Sequence, residues 1–398
     1  MRPKEVVKGI YNVGVIDWNI RDFHGYSTER GSTYNAFLVM DEKIVLIDTV
    51  KKPFAESLLD NISKIVDPQR IDCVISNHAE PDHSGGLPEV MARIGMDKPV
   101  YCSKLGEKNL RRHYGDGFNY QPVPDKGEMT IGKRTFTFLE TRMLHWPDSM
   151  FTYDKTDRIL FSSDAFGQHY AGQEMFDDEV EPVILFHQAK KYYANILQLY
   201  SDRIAKLIET VAGLKIAIDM ICPDHGVIFR KDPGRIIEAY KTWSERKPLK
   251  KAVVIYDTMW NSTVKMAEAI LCGISDEGVQ VAPYSLRSVH RSDVMTEVMD
   301  AKAVLIGSPT LNNTIYPTVA DFLTYMKGLR PVNKIGAAFG SYGWSGEAVK
   351  VIGGSLEEMG IELIDQGLKV QYVPDKENLK SCYEWGRKIG AAVAASCE

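Results

Sequence analysis

The stretch SNHAEPDHSGG, residues 76–86, decides how the first half of this chain is read. His78, Glu80, Asp82 and His83 place two imidazoles and two carboxylates within six residues, and Gly85 and Gly86 follow at once. The run sits between IDCVIS (71–76), an apolar strand pattern, and LPEVMARIG (87–95), a helical one. A strand-to-helix loop lets side chains converge on a point. Imidazole mixed with carboxylate suits Fe, Zn or Mn better than Ca or Mg. A polar turn rich in His and Asp would look the same in isolation, so further ligands must be found elsewhere.

Three later segments supply them. His145 follows the strand pattern TFTFLET (135–141), Asp164 ends RILFSSD (158–164), and His225 follows IAIDMI (216–221) just ahead of Gly226. Each is a polar group where an apolar run stops, as a site along one edge of a sheet requires. The set resembles the metallo-β-lactamase fold, whose metal loop reads H-x-[HE]-x-D-H and whose other ligands come from later strand ends.

Composition narrows the class. The 398 residues, 44% of them hydrophobic, are enough for two or three domains with their own cores. The net charge of −5 comes with no basic stripe, so nucleic acid is not expected as a partner. Six scattered cysteines form no C-x-x-C pair, which argues against a disulfide framework, a zinc ribbon or an iron–sulfur centre. MRPKEVVKGI lacks an apolar signal core, and no run approaches the roughly 20 apolar residues of a membrane span. A soluble, cytoplasmic protein is expected.

The pattern changes around SERKPLKKA (244–252). Before it, strand candidates are grouped as in hairpins, among them TYNAFLVM (33–40) and KIVLIDTV (43–50), and one long helix is expected over 187–211. After it, the strand candidates KAVVIYD, VQVAPYSL, AVLIGSP, KIGAAFG and IELIDQGLKV alternate with helices, which means a doubly wound parallel sheet. The expected domains are 1–248 and 249–398. The expected fold is an N-terminal metallo-β-lactamase-like αββα sandwich followed by a flavodoxin-like sheet.

The second domain has its own site signal. Thr258, Met259, Trp260, Asn261, Ser262 and Thr263 form the turn from strand to helix, where hydroxyls and N–H groups suit an anion. An ordinary helix cap uses the same residue types. With no G-x-G-x-x-G and no Walker lysine, a dinucleotide or ATP is poorly supported. The turn resembles the flavodoxin phosphate loop, although Asp257 stands where that pattern has Ser or Thr. Two later loops favour FMN. One contains Ser308, Pro309, Thr310, Leu311, Asn312 and Asn313; the other contains Gly340, Ser341, Tyr342, Gly343, Trp344, Ser345 and Gly346. In flavodoxin-like folds such loops flank the ring system at the switch point of the sheet, and Trp344 is the candidate stacking residue.

Together the two halves resemble the flavodiiron proteins over essentially the whole chain. The resemblance implies two non-haem irons and FMN. It assigns His78, Glu80 and His145 to one iron, and Asp82 and His225, with His83 as a further ligand, to the other. Asp164 would bridge them. Zinc hydrolases place His where Glu80 stands, and three carboxylates favour redox iron over zinc. Reduction of NO to N2O, of O2 to water, or both, is implied, since two ferrous ions and reduced FMN together hold four electrons. His24 and Tyr193 are candidate donors in the gas pocket, although Tyr193 also fits a core tyrosine. A rubredoxin-type external donor and a head-to-tail homodimer, or a dimer of dimers, complete the expectation. The rival readings are a zinc hydrolase with a flavodoxin appendage, and an electron carrier whose metal loop is structural.

Overall fold

Alternation along the strands explains the first unit. The computed structural model describes residues 3–214 and 216–397. Its first sheet runs in spatial order β1 (Lys4–Val7), β2 (Ile10–Asn12), β3 (Phe37–Met40), β4 (Ile44–Ile47), β5 (Cys73–Ser76), β6 (Pro99–Cys102) and β7 (Asn119–Pro122). Phe37, Val39, Val45 and Ile47 point to one face, and Leu38, Ile44 and Leu46 to the other. Both faces are therefore covered. The Leu38 face packs under α1 (Ala55–Ser63), α2 (Leu87–Ile94) and α3 (Lys104–Tyr114). The Phe37 face shares a core with the second sheet, β8 (Glu128–Thr130), β9 (Thr135–Glu140), β10 (Met150–Asp154), β11 (Ile159–Phe161) and β12 (Met220–Cys222). Phe136, Phe138, Met150 and Phe161 fill that layer.

The long helix expected over 187–211 is interrupted. It divides into α4 (Pro182–Tyr192), a π-helical turn (Tyr193–Leu197), a 3-10 turn (Gln198–Tyr200) and α5 (Ser201–Gly213). π turns inside helices are often found at functional sites, and this one follows Tyr192, which reaches the ligand cluster. α6 (Pro233–Ser244) follows β12.

The second unit is a parallel sheet of β13 (Leu249–Tyr256), β14 (Gln280–Ser285), β15 (Ala301–Gly307) and β16 (Ile335–Tyr342), ordered β14-β13-β15-β16. IELIDQGLKV is two short strands rather than one, β17 (Glu362–Leu363) and β18 (Leu368–Gln371), both paired with β16. Gly367 breaks the run at φ +87°, where a Cβ would lie 2.5 Å from the Ala338 carbonyl. One face of the sheet, with Val253, Ile255, Val304 and Ile306, packs on α8 (Arg291–Asp300), α9 (Pro317–Leu329) and α10 (Glu347–Glu358). The other, with Val254, Leu305 and Phe339, packs on α7 (Ser262–Asp276) and α11 (Lys376–Ser396). Thr242 onward groups with this unit, as do Gly25–Ser27 and Ala194–Ser201. Among the described residues no helix is long and apolar enough to cross a membrane.

Candidate metal centre and flavin cleft

The loops that leave β5, β9, β11 and β12 bring all seven expected ligands together. His78, Glu80, His145 and Asp164 form one group and Asp82, His83 and His225 a second, with the ligand atoms of each group within 4.8 Å of one another. In the first, His78 Nε2 is 3.2 Å from Glu80 Oε2 and 3.3 Å from Asp164 Oδ2, and His145 Nε2 is 3.1 and 3.2 Å from the same two oxygens. In the second, His225 Nε2 is 3.2 Å and His83 Nε2 3.3 Å from Asp82 Oδ2. His83 Nε2 and His225 Nε2 are 3.0 and 3.5 Å from Asp164 Oδ1. Asp164 thus offers Oδ2 to one group and Oδ1 to the other.

The residues fit a pair of metal ions. Asp82 Oδ1, Asp164 Oδ2 and both ring nitrogens of His83 are buried without a hydrogen-bond partner, an arrangement that costs free energy unless a cation satisfies them. Six of the seven ligand side chains are at most 10% exposed, and only His145, at 19%, shows an edge to solvent. Charge balance agrees. Burial alone would push the His78 and His83 imidazoles down, yet the carboxylates around them hold both well above the ordinary range. His145 is held up at about 9 by Asp164 and Glu80 despite its burial. Against their own burial, Glu80 is held near 2 by His145 and His78, and Asp82 near 2 by His83 and His225. Such a site draws cations, and a metal that binds there displaces protons from the imidazoles.

Polar groups behind the ligands orient them. Asp148 Oδ2 lies 3.3 Å from His78 Nδ1 and accepts the Ala79 N–H at 2.7 Å. Thr33 O accepts from His225 Nδ1 at 2.7 Å. Asp224 Oδ2 is 3.4 Å from His83 Nδ1. Asp48, raised to about 6 by burial, ties the start of the metal loop by accepting from Asn77 N and Nδ2. Sequence reasoning missed these carboxylates. Asp148 and Asp224 were visible as neighbours of His145 and His225, and Asp48, like Asp164, ends an apolar run.

The two candidate donors differ in placement. His24 has a 76% exposed side chain with Nε2 3.5 Å from Glu80 Oε1. Tyr193 is fully buried and packs edge-on to Tyr240. Its neighbour Tyr192 is the one whose hydroxyl donates to Asp164 Oδ1, at 2.9 Å. His169 lies against His225 with ring centroids 4.8 Å apart, and its Nδ1 meets Ser32 Oγ at 2.8 Å. Burial and His225 hold it well below the usual imidazole range.

The second unit has a cleft of about 700 Å³ at the C-terminal ends of its strands. Met259, Trp260 and Ser262 line it from the first loop, Pro309, Thr310, Asn312 and Asn313 from the second, and Ser341, Tyr342, Gly343, Trp344 and Ser345 from the third. Tyr372 and Val373, after β18, also line it and were not anticipated. The other expected residues support the walls. Thr263 Oγ1 meets Ser341 Oγ at 3.0 Å, Ser308 Oγ accepts the Tyr316 N–H, and Leu311 exchanges backbone bonds with Thr314. A Cβ on Gly340 would lie 2.1 Å from the Ser308 carbonyl, and Gly346 leads into α10. The cleft fits FMN. Thr258 Oγ1 is buried without a partner, Asn261 turns the chain at φ 63° into the N-terminus of α7, and Trp260 and Trp344 are each 87% exposed.

Two His/carboxylate groups that meet at Asp164 in a lactamase-like sandwich, with a flavodoxin-like unit on the same chain, define an oxidoreductase. The family model described as ODP family beta lactamase matches residues 32–226, and that of flavodoxin matches 254–386. The chain is 48% identical to the nitric oxide reductase of Moorella thermoacetica, over 99% of both chains. It is similar to the solved rubredoxin oxygen:oxidoreductase of Desulfovibrio gigas, with TM-score 0.96 and 43% identity over 99% of both. The flavodiiron protein of Giardia intestinalis matches with TM-score 0.96 and 37% identity, over 100% of this chain and 98% of that one. The chain belongs to the flavodiiron proteins, and its cofactors are FMN and a non-haem diiron centre.

Proposed function

We propose that this protein reduces nitric oxide to nitrous oxide, dioxygen to water, or both, and so scavenges these gases. The observation that carries the reading is Asp164, whose two oxygens face two separate His/carboxylate groups. His78, Glu80 and His145 would hold one iron, Asp82, His83 and His225 the other, with Asp164 between them. The placement of His83 Nε2 among Asp82 and Asp164 supports its role as a ligand. When bound, the irons and the flavin supply the electrons that either gas requires.

The chain's own groups prepare the site for that chemistry. The Tyr192 hydroxyl donates a hydrogen bond to Asp164 Oδ1 and fixes the orientation of the carboxylate. His24 presents an imidazole to solvent on one side and to Glu80 on the other, a position suited to proton delivery at Nε2. Phe23 and Trp146 pack on the histidines and keep bulk water off them. Phe23 lies 5.1 Å from His169, and Trp146 lies 5.2 Å from His78, ring centroid to ring centroid.

We take residues 1–248 as the diiron domain and 249–398 as the flavin domain of a cytoplasmic enzyme. The electron donor is an external one-electron protein of rubredoxin type, in keeping with the name of the Desulfovibrio gigas relative. The active form is a head-to-tail homodimer or a dimer of dimers. Only residues 245–248 join α6 to β13, which favours delivery of electrons from one chain to the other. Anaerobic turnover of one reduced preparation with NO, compared with O2, tests the activity. Consumption of either gas at enzymic rates supports the proposal. Inertness to both in an iron- and FMN-replete protein refutes it.

A further inference from the structure

Asp257 stands at the head of the loop that lines the flavin cleft, immediately before Thr258. The Asp257 carboxylate is fully buried at the head of the loop. Oδ1 accepts Arg287 Nε and the Thr258 N–H, each at 2.6 Å, and Oδ2 accepts Thr318 Oγ1 at 2.5 Å. Arg287, from the turn after β14, also donates through Nη2 to the Thr258 carbonyl and, at 3.2 Å, to the Tyr316 hydroxyl. One guanidinium therefore holds a buried charge and a backbone carbonyl of the same loop.

We propose that Arg287 is the positioning residue that neutralises Asp257 and lets this loop accept the phosphate of FMN. The inference rests on the reading that the cleft holds FMN. A carboxylate beside a phosphate dianion repels it, and a buried carboxylate has little solvent to screen the repulsion. The rigid fork of Arg287 cancels that charge without occupying the cleft. Its bond to the Thr258 carbonyl also sets the plane of the next peptide. In a trans peptide, the Met259 N–H then points away from Arg287.

Titration of full-length apoprotein with FMN and with riboflavin, followed by flavin fluorescence, tests the clamp. Riboflavin has the same ring system and no phosphate. In Arg287→Gln, FMN affinity falls at least about tenfold, whereas riboflavin affinity stays within about threefold of the parent. Adding Asp257→Asn to Arg287→Gln removes the unpaired charge and restores FMN affinity to within about threefold. Equal losses for both flavins, or a double variant as weak as Arg287→Gln, overturns the proposal. A parent apoprotein that binds no FMN refutes the flavin reading itself, and the clamp with it, so the two failures are distinguishable.

Discussion

Each oxygen of Asp164 faces a different ligand group, and the residue cannot be replaced by an uncharged isostere without unbalancing both. Asp164→Asn should lose most of its iron and at least about a hundredfold of its turnover, while FMN stays at one per chain. Metal analysis and flavin absorbance on the same sample check this, and wild-type turnover would show that Asp164 bridges nothing. Tyr192→Phe removes only the hydroxyl 2.9 Å from Asp164 Oδ1. It should retain iron and lose about tenfold in turnover, whereas Tyr193→Phe should leave turnover close to the parent's. Steady-state rates on the iron-loaded variants decide between the two tyrosines. The ligands were legible because their chemistry is dense in sequence and falls where apolar runs stop. Choosing Tyr192 over Tyr193 was not possible from pattern, since neighbouring helical residues point about 100° apart and both positions are apolar-compatible. Asp48, Asp148 and Asp224 carry weak local signals, an apolar run's end or a neighbouring histidine, but the groups they hold lie on distant loops, so their roles show only in the fold.

At the level of elements, close approach between α7 and α11 is built on glycines. A Cβ on Gly273 would lie 2.1 Å from the Tyr383 carbonyl, and one on Gly386 2.3 Å from the Ile270 carbonyl. Gly273→Ala should therefore destabilise the flavin unit by about 1–3 kcal/mol, despite the better helix propensity of alanine. Denaturant unfolding followed by flavin release measures it, and a stability equal to or above the parent's would contradict the packing. The strands of both units were readable from their apolar runs because sheets covered on both faces need nearly continuous hydrophobic residues. Two elements were not. In the break after Tyr192, Asn195 donates to the Ser292 carbonyl and accepts from the Tyr325 hydroxyl, long-range partners that a helical pattern does not reveal. The division of IELIDQGLKV falls at Gly367, where a positive φ and the close Ala338 carbonyl leave no room for a Cβ, and where the Asp365 carboxylate accepts the Gly367 N–H.

For the whole molecule, the proposed sharing of centres between two chains has a direct consequence. Chains carrying His145→Ala with Asp164→Ala lack the metal site, and chains with a disrupted 258–263 loop lack the flavin. Each parent should be inactive, and exchange of subunits should recover activity in the heterodimer. Verified heterodimers that remain inactive, or a monomer with full activity, would exclude the arrangement. One chain carries a redox diiron site together with a flavin. Quantifying metals and flavin in protein produced with iron in excess tests it most directly. About two irons and one FMN per chain are expected, with zinc at trace level. Stoichiometric zinc with zinc-dependent ester hydrolysis would contradict it and return the chain to the hydrolase class.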